Sequence, residues 1–273
     1  MAKKGPDDAA LLWTFLARGI AERVFRPALR PALEDFQRSA RTQSTDGTEV
    51  LSGATGLPAP TVEAVYEEGR RAFLDIPDQV VEGSAYRKDW RMELEHAAVL
   101  YTLVRLTKPR TVVETGIADG FSSRVILTAI GANGSGRLVS VDVRSGTGGL
   151  VPPELRSSWR PVVVRADRSL ADIAELLRSE GPIDLFLHDS RHTYGHMLGE
   201  YRAAWPVLRP GGLLASDDAD STWAFLDFAR QVRSPVHVHV GSRKVFGLIS
   251  KKGGLGPTPG VAGSTAIPSS PAL

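Results

Sequence analysis

The chain reads Thr111-Val-Val-Glu-Thr-Gly-Ile-Ala-Asp-Gly-Phe-Ser-Ser123 at the point that decides its fold. The run begins with β-branched apolar residues, which predict the end of a buried parallel strand. Gly116 and Gly120 then permit backbone geometries that a side chain would obstruct, and Ser122 falls at the start of a helix. A strand that breaks into a glycine turn and then opens a helix is typical of a nucleotide-type pocket.

The spacing of the two glycines narrows the class of ligand. Gly116 and Gly120 form a G-x-x-x-G pattern rather than G-x-G-x-x-G. The dinucleotide fingerprint uses its second close-approach glycine to receive a pyrophosphate. The pattern therefore favours an adenosine ligand without phosphates, and S-adenosylmethionine is the expected cofactor.

A carboxylate follows the glycine turn at the distance expected for ribose recognition. The segment Arg137-Leu-Val-Ser-Val-Asp142 predicts the next strand, and an acid at its end can accept both ribose hydroxyls. Asp142 is therefore the candidate ribose ligand. Alternatively, Asp142 only ends the strand and caps a turn.

The remaining pattern predicts an α/β fold with a doubly wound, mostly parallel seven-stranded sheet, because strands and helices alternate from Thr111 onward. Val236 to Ile249 contains two extended runs around Gly241-Ser242, which predict a terminal antiparallel hairpin. The five strands expected before this hairpin lie near 111–115, 137–142, 161–166, 183–188 and 212–216.

Three regions are expected along the chain. Residues 1–88 form a helical extension, with helices at 7–40 and 60–74 joined by a polar segment, and act as a lid or an oligomer arm. Residues 89–252 form the cofactor-binding domain, beginning with a helix from Asp89 to Leu106. Residues 253–273 are rich in Gly, Pro, Ser and Ala and are expected to be a disordered tail.

Composition excludes several classes of function. The chain has 273 residues, a formal net charge of +2 and no dense basic run with interleaved aromatics, so nucleic acid is not the expected partner. It has no cysteine, which excludes disulfides and thiolate catalysis and is compatible with a cytoplasmic location. No segment is apolar over the ~20 residues that a membrane span requires, so stable membrane insertion is not expected.

Three acids follow the two strands that come last before the hairpin. Asp189 comes after the strand 183–188, and Asp217 and Asp218 come after the strand 212–216. Carboxyl ends of parallel strands meet at one edge of a sheet, so these carboxylates should converge and could hold Mg²⁺. Alternatively, the acids cap the helices that follow them.

A candidate base follows the first of these acids. His192 can accept a proton from a hydroxyl near neutral pH, and Tyr194 could orient it or line the substrate pocket. In the alternative, His192 is only a polar residue at a helix start and Tyr194 a packing residue. His192, His196 and Glu200 also stand four apart, as zinc ligands might, but Thr193 replaces the catalytic glutamate of that signature.

Over about residues 90 to 250 the chain resembles a class I S-adenosylmethionine-dependent methyltransferase with a Rossmann-like fold. Within this superfamily it is similar to the metal-dependent O-methyltransferases of antibiotic sugar tailoring, of the macrocin O-methyltransferase type. The resemblance is carried by Glu114-Thr-Gly-Ile-Ala-Asp-Gly120, Asp142, Asp167, Asp189-Ser-Arg-His-Thr-Tyr194, Leu208-Arg-Pro-Gly-Gly212 and Asp217-Asp218.

The resemblance implies a role for each of these positions. The cation would lower the pKa of a coordinated substrate hydroxyl, Asp189 or His192 would take the proton, and the oxygen would attack the sulfonium methyl group. The implied metal ligands are Asp189, Asp217 and Asp218. The implied cofactor-binding residues are Glu114, Gly116, Gly120 and Ser122 around the methionine side, Asp142 on the ribose, Asp167 and Arg168 beside the adenine, and Asp189.

The leading hypothesis is therefore a Mg²⁺-assisted O-methyltransferase acting on a small hydroxylated molecule such as a sugar. A metal-independent enzyme with His192 alone as base is a second hypothesis. A third is a non-catalytic accessory protein that binds the cofactor and docks a partner. A homo-oligomer assembled through the N-terminal helices is compatible with each of them.

Overall fold

The computed structural model describes residues 42–73 and 91–253. The helix expected at 7–40 and the tail beyond residue 253 lie outside these ranges, so both expectations stay predictions. Within the described residues, no helix is long and apolar enough to cross a membrane.

One eight-stranded sheet forms the centre of the molecule. Its strand order is β1-β7-β8-β6-β5-β2-β3-β4, and the pairs from β6 through β4 are all parallel. The strands are β1 (Thr42–Ser44), β2 (Thr111–Thr115), β3 (Arg137–Asp142), β4 (Trp159–Val163), β5 (Ile183–His188), β6 (Leu208–Ser216), β7 (His237–Val240) and β8 (Val245–Ser250).

The predicted doubly wound fold is confirmed, including the terminal antiparallel hairpin of β7 and β8. Three strands occupy the predicted residues, whereas β4 begins two residues earlier than expected and β6 begins at Leu208. The sheet also contains an additional strand, β1, which pairs parallel to β7. It comes from the segment that was expected only to join two helices.

Seven α-helices are described around the sheet, together with a 3₁₀ helix at Pro153–Ser158. Asp46 caps the first of them by accepting a hydrogen bond from the Thr48 backbone N–H at 2.8 Å, and Gly56 ends it with a positive φ of 73°. The α-helices are α1 (Gly47–Thr55), α2 (Ala59–Ala72), α3 (Leu94–Thr107), α4 (Phe121–Asn133), α5 (Ser169–Glu180), α6 (Tyr194–Val207) and α7 (Ala224–Val232).

Two apolar cores lie on opposite faces of the sheet, because successive side chains of a strand point to opposite sides. Val112 belongs to the core that includes side chains of α1 to α4. Val113, the next residue, belongs to the core that includes side chains of α5 to α7. Both valines are fully buried, which fixes β2 at the centre of the sandwich.

Residues 42–73 pack on the same body as residues 91–253. Tyr66 of α2 and Val50 of α1 are buried in the core that also holds α3. His239 of β7 lies 3.1 Å from the carbonyl oxygen of Thr45 through its Nε2 atom. The domain boundary expected at residue 88 remains a prediction. Residues 42–73 nevertheless share an apolar core with residues 91–253.

The last strand runs against its neighbour, which has a consequence for the site. Strand β8 is antiparallel to β6, so residues that precede β8 lie at the edge of the sheet where β6 ends. The Ala219 backbone N–H donates to the Val245 carbonyl oxygen at 2.9 Å and ties the two segments together there. Residues of the β7–β8 turn therefore lie close to the acids that follow β6.

Candidate functional site

A cavity of about 740 Å³ opens at the carboxyl edge of the parallel strands. Ligands of open α/β sheets bind at this edge, where the strand order reverses. Here the reversal lies between β2 and β5. Among the predicted residues, the cavity is lined by Gly116, Ser122, Asp142, Asp189, His192 and Asp218.

The glycine turn forms one wall of this cavity and requires glycine for steric reasons. Gly116 has a φ of 88°, and its N–H donates to the Val141 carbonyl oxygen at 2.8 Å. A Cβ atom on Gly116 would overlap the backbone carbonyl of Asp189. Gly120 has a φ of 93°, and a Cβ atom there would lie 2.7 Å from the Cα atom of Gly148. Each glycine thus allows a neighbouring loop to approach closely.

Asp142 connects the glycine turn to the end of β3. Its Oδ2 atom accepts hydrogen bonds from the backbone N–H groups of Ile117 at 3.0 Å and Ala118 at 3.1 Å. Its Oδ1 atom accepts from the Arg144 N–H at 3.0 Å. The carboxylate thus holds the turn in place and also faces the cavity, where each oxygen keeps further acceptor capacity.

We expect Asp142→Ala to weaken binding of S-adenosylhomocysteine by about 10- to 100-fold, the usual worth of hydrogen bonds to a charged group. The substitution removes the hydrogen bonds that hold the glycine turn in place, and it removes the acceptor for the ribose hydroxyls. Isothermal titration calorimetry measures the change. Glu154→Ala, at an exposed acidic residue outside the cavity lining, is the control and is expected to leave the affinity unchanged. Equal affinities for the Asp142 variant and wild type would contradict the assignment.

Glu114 does not line the cavity. Its side chain is fully buried, and its Oε2 atom accepts hydrogen bonds from Ser123 at 2.6 Å and Ser140 at 2.7 Å. Burial raises the pKa of Glu114 and outweighs these hydrogen bonds. Glu114 therefore supports the turn from below rather than facing a cofactor, while Ser122, at the start of α4, does line the cavity.

The end of the cavity expected to hold adenine is apolar. Asp167 and Arg168 are exposed and do not line the cavity. The wall beside them is formed by Val143, Val164, Ala166, Ser169 and Ile173. Val143 directly follows Asp142 and is 44% exposed, which is unusual for a valine at the end of a central strand. An adenine ring would cover this surface, a contact that the carboxylate pattern gave no reason to expect.

The two acids after β6 are held by a lysine that the sequence pattern did not single out. Lys244 Nζ donates to Asp217 Oδ2 at 2.9 Å and to Asp218 Oδ2 at 2.8 Å. Asp217 is fully buried, and its Oδ1 atom also lies 3.4 Å from His96 Nδ1. Burial alone would raise the pKa of Asp217, but His96 and Lys244 together lower it to about 2.

The expected Mg²⁺ site at Asp189, Asp217 and Asp218 does not fit this arrangement. The part of the chain that the structure describes contains no group of three or more acidic or histidine side chains arranged to hold a metal. The point between the Asp217 and Asp218 carboxylates is taken by the Lys244 ammonium. The donor set as it stands therefore presents these acids to an amine.

His192 lies between two carboxyl groups at the ends of β5 and β6. Its Nδ1 atom is 3.7 Å from Asp218 Oδ2, and its Nε2 atom is 4.0 Å from Asp189 Oδ1. Burial and the neighbouring His188 lower the pKa of His192 to about 4, whereas burial and Asp217 raise the pKa of Asp189. The imidazole is therefore neutral at pH 7. Nε2 has no hydrogen-bond partner among the described residues.

Tyr194 points away from this cluster, contrary to the expected roles as an orienting or pocket residue. Its hydroxyl donates to Asp227 Oδ2 of α7 at 3.0 Å, and its ring packs against the core beneath α7. The arrangement is consistent with the alternative in which Tyr194 is a packing residue.

His196 and Glu200 belong to a separate polar network. Glu200 is fully buried and bonded to His188 Nδ1 at 2.6 Å, His196 Nε2 at 2.8 Å and the Thr115 hydroxyl at 2.6 Å. His192, His196 and Glu200 therefore do not converge on one point as zinc ligands would. The network instead joins the ends of β2 and β5 to α6, and Thr115, His196 and Glu200 are among the residues that line the cavity.

Sequence comparison matches residues 113–219 to a family described as "Methyltransferase domain". The matched segment runs from the middle of β2 to the residue after the acid pair, so it contains the glycine turn, Asp142, His192 and the acids Asp189, Asp217 and Asp218. This segment of the chain, residues 113–219, matches a methyltransferase domain. No match is found among curated proteins.

Solved structures are similar to this chain at low sequence identity. The O-methyltransferase TomG from Streptomyces achromogenes, solved with SAM, is 20% identical with a TM-score of 0.50 over 60% of this chain and 83% of that chain. An O-methyltransferase from Bacillus cereus, solved with SAH, is 17% identical with a TM-score of 0.45 over 74% and 95%. MycE of the mycinamycin pathway, solved with Mg and SAH, is 18% identical with a TM-score of 0.39 over 53% and 46%.

Proposed function

We propose that this protein transfers the methyl group of S-adenosylmethionine to a hydroxyl group of a small molecule. The observation that carries the proposal is the position of His192, whose neutral imidazole lines the same cavity as the glycine turn and Asp142 and whose buried Nε2 atom has no hydrogen-bond partner among the described residues. A cofactor held by the turn and a hydroxyl held at His192 would then share one enclosed space.

The geometry supports His192 as the general base. A proton acceptor must be within hydrogen-bond reach of the hydroxyl. Nε2 is the imidazole atom without a hydrogen-bond partner among the described residues, and a small rotation of the ring would be needed to turn it toward the cavity. Asp189 Oδ1 lies 4.0 Å from Nε2 and Asp218 Oδ2 lies 3.7 Å from Nδ1, so a carboxyl group stands near each ring nitrogen. The Asp218 carboxylate would stabilise the imidazolium that forms when the proton arrives.

The proposed step balances without a further reactant. The acceptor O–H bond breaks and its proton passes to His192 Nε2, while the oxygen forms a bond to the methyl carbon. The carbon–sulfur bond breaks, and its electron pair stays on sulfur to give S-adenosylhomocysteine. The positive charge of the sulfonium is thereby transferred to the imidazolium, which releases its proton to water.

A small hydroxylated acceptor fits the size of the site. A cavity of about 740 Å³ is within the usual range for a pocket that holds small ligands. We propose a sugar or another natural product, following the sequence resemblance to enzymes of the macrocin O-methyltransferase type. The cytoplasm is the proposed location, with which the absence of cysteine is compatible.

Titration of the purified full-length chain with S-adenosylhomocysteine tests the proposed function. We expect binding both in the presence of Mg²⁺ and in excess chelator, followed by methyl transfer to at least one member of a panel of hydroxylated compounds. Failure to bind S-adenosylhomocysteine in either condition would overturn the proposal.

We expect His192→Gln to lower kcat by about 10²- to 10⁴-fold, which is the usual contribution of a general base, with little change in S-adenosylhomocysteine affinity. Since the pKa of His192 is about 4, wild-type kcat should stay high at pH 5 and fall only as the imidazole becomes protonated below it. His237→Gln, on β7 and outside the cavity, serves as the control. A kcat for His192→Gln within twofold of the control would exclude His192 as the base.

A further inference from the structure

Lys244 is a buried cation placed among acids that would otherwise repel one another. Its side chain is 9% exposed and lines the cavity together with Asp189, His192 and Asp218. Burial alone would lower the pKa of Lys244, but Asp217, Asp189 and Asp218 together raise it, so the amine is charged at pH 7. Adjacent buried carboxylates need a positive partner, and this lysine provides it.

The topology of the sheet determines where this lysine lies. Lys244 immediately precedes β8, and β8 is antiparallel to β6 with Ser216 opposite Gly247. The Lys244 carbonyl oxygen also accepts a hydrogen bond from the Gly241 N–H at 2.9 Å, and this bond closes the β7–β8 turn. The hairpin therefore delivers the ammonium to the end of β6, directly beside Asp217 and Asp218.

The position of the ammonium coincides with the position that a divalent cation would need. Mg²⁺ binds carboxylate oxygens at about 2.1 Å, so an ion shared by Asp217 and Asp218 would lie between the same two Oδ2 atoms that Lys244 Nζ contacts. The cation and the amine cannot both be there, because they would overlap and repel each other.

We propose that Lys244 is the resident cation of this site, that it replaces a divalent metal, and that the methyl transfer is metal-independent. This inference rests on the proposed function, which assigns the cavity to methyl transfer. Lys244 acts as a positioning residue: it neutralises the Asp217–Asp218 pair and fixes Asp218 beside His192. The cavity then keeps a positive charge near the place where the acceptor hydroxyl becomes an oxyanion.

Mn²⁺ is the probe for this proposal, because its binding is measured without knowing the acceptor. The full-length protein, freed of metal by chelator and saturated with S-adenosylhomocysteine, is titrated with Mn²⁺ and followed by electron paramagnetic resonance. We expect wild type to leave Mn²⁺ free. Lys244→Gln removes the charge, leaves three carboxylates around the vacated space and should bind Mn²⁺ at least about tenfold more tightly than wild type.

Matched variants separate the site from general charge effects. Lys252→Gln, the same change at an exposed lysine, and Lys244→Arg, which keeps the charge, should both behave as wild type. Equal Mn²⁺ affinity in wild type and Lys244→Gln would overturn the proposal. If Lys244→Gln does not fold, wild type still decides: Mn²⁺ binding that Asp218→Asn abolishes would overturn it, and no Mn²⁺ binding would support it.

The test also separates this inference from the proposed function. S-adenosylhomocysteine binding is measured in the same samples by calorimetry. Loss of cofactor binding in wild type would contradict the methyltransferase proposal, whereas intact cofactor binding together with Mn²⁺ binding at Asp218 would contradict only the role of Lys244.

Discussion

Gly116→Ala is expected to abolish detectable binding of S-adenosylhomocysteine. The new Cβ atom would overlap the backbone carbonyl of Asp189, which cannot turn aside as a side chain would. The Asp189 N–H also donates to the Thr115 carbonyl oxygen at 2.9 Å, so moving this backbone would disturb the ends of both β2 and β5. Calorimetric titration of the folded variant measures the loss.

Gly134→Ala provides a matched control for this prediction. Gly134 has a φ of 68°, so alanine there meets the same left-handed backbone, which costs roughly 1–2 kcal/mol. No atom lies within 4 Å of a Cβ atom at this position. The control should lose some stability and retain full affinity. If both variants bind the cofactor equally well, the close approach of the Asp189 backbone does not explain why position 116 is a glycine.

Glu200→Gln is expected to lower the free energy of unfolding by about 3 kcal/mol and Tm by about 6–12 °C. The fully buried carboxylate accepts a hydrogen bond from the Thr115 hydroxyl and contacts two histidines. A glutamine amide would instead present N–H groups to some of these donors. Thermal unfolding followed by circular dichroism gives the change. Glu175→Gln, at an exposed position of α5, should leave Tm within about 1 °C.

The effect of Glu200 should also depend on pH. Burial tends to raise its pKa, but His188 and His196 outweigh burial and lower the pKa below its ordinary value of 4.5. Stability from a lowered carboxyl pKa is present above that ordinary value and is lost as the pH falls. The difference in Tm between wild type and Glu200→Gln should therefore be smaller at pH 3 than at pH 7. A constant difference would argue against an ionised Glu200.

The central strands could be predicted because their signals are local. β2, β3 and β5 are short runs of buried apolar residues bounded by glycine, proline or acidic residues, and each occupies the predicted residues. β1 could not be predicted in this way. Its three residues, Thr-Gln-Ser, have no apolar alternation, and they become a strand only because β7 offers a backbone to pair with.

The candidate site could be predicted where each residue directly follows a strand. Asp142, Asp189 and Asp218 all lie at the expected edge of the sheet, and all three line the cavity. The sequence pattern does not reveal Lys244, because it is 26 residues from Asp218 along the chain. The two side chains come into contact only through the antiparallel pairing of β8 with β6. Glu114 was assigned to the cofactor because of its motif, while the side-chain direction that buries it among serines depends on the pleat of β2.

The small strand at the margin of the sheet has a consequence for solubility. β7 has a row of backbone groups that would be open to another molecule if β1 were not paired with it. An outermost strand of three residues offers few hydrogen bonds to an incoming chain, so it is a poor template for the edge-to-edge association that leads to aggregation. Among the described residues, a segment that precedes the matched family region thus makes this one edge of the sheet a poor site for joining the sheet of a neighbour.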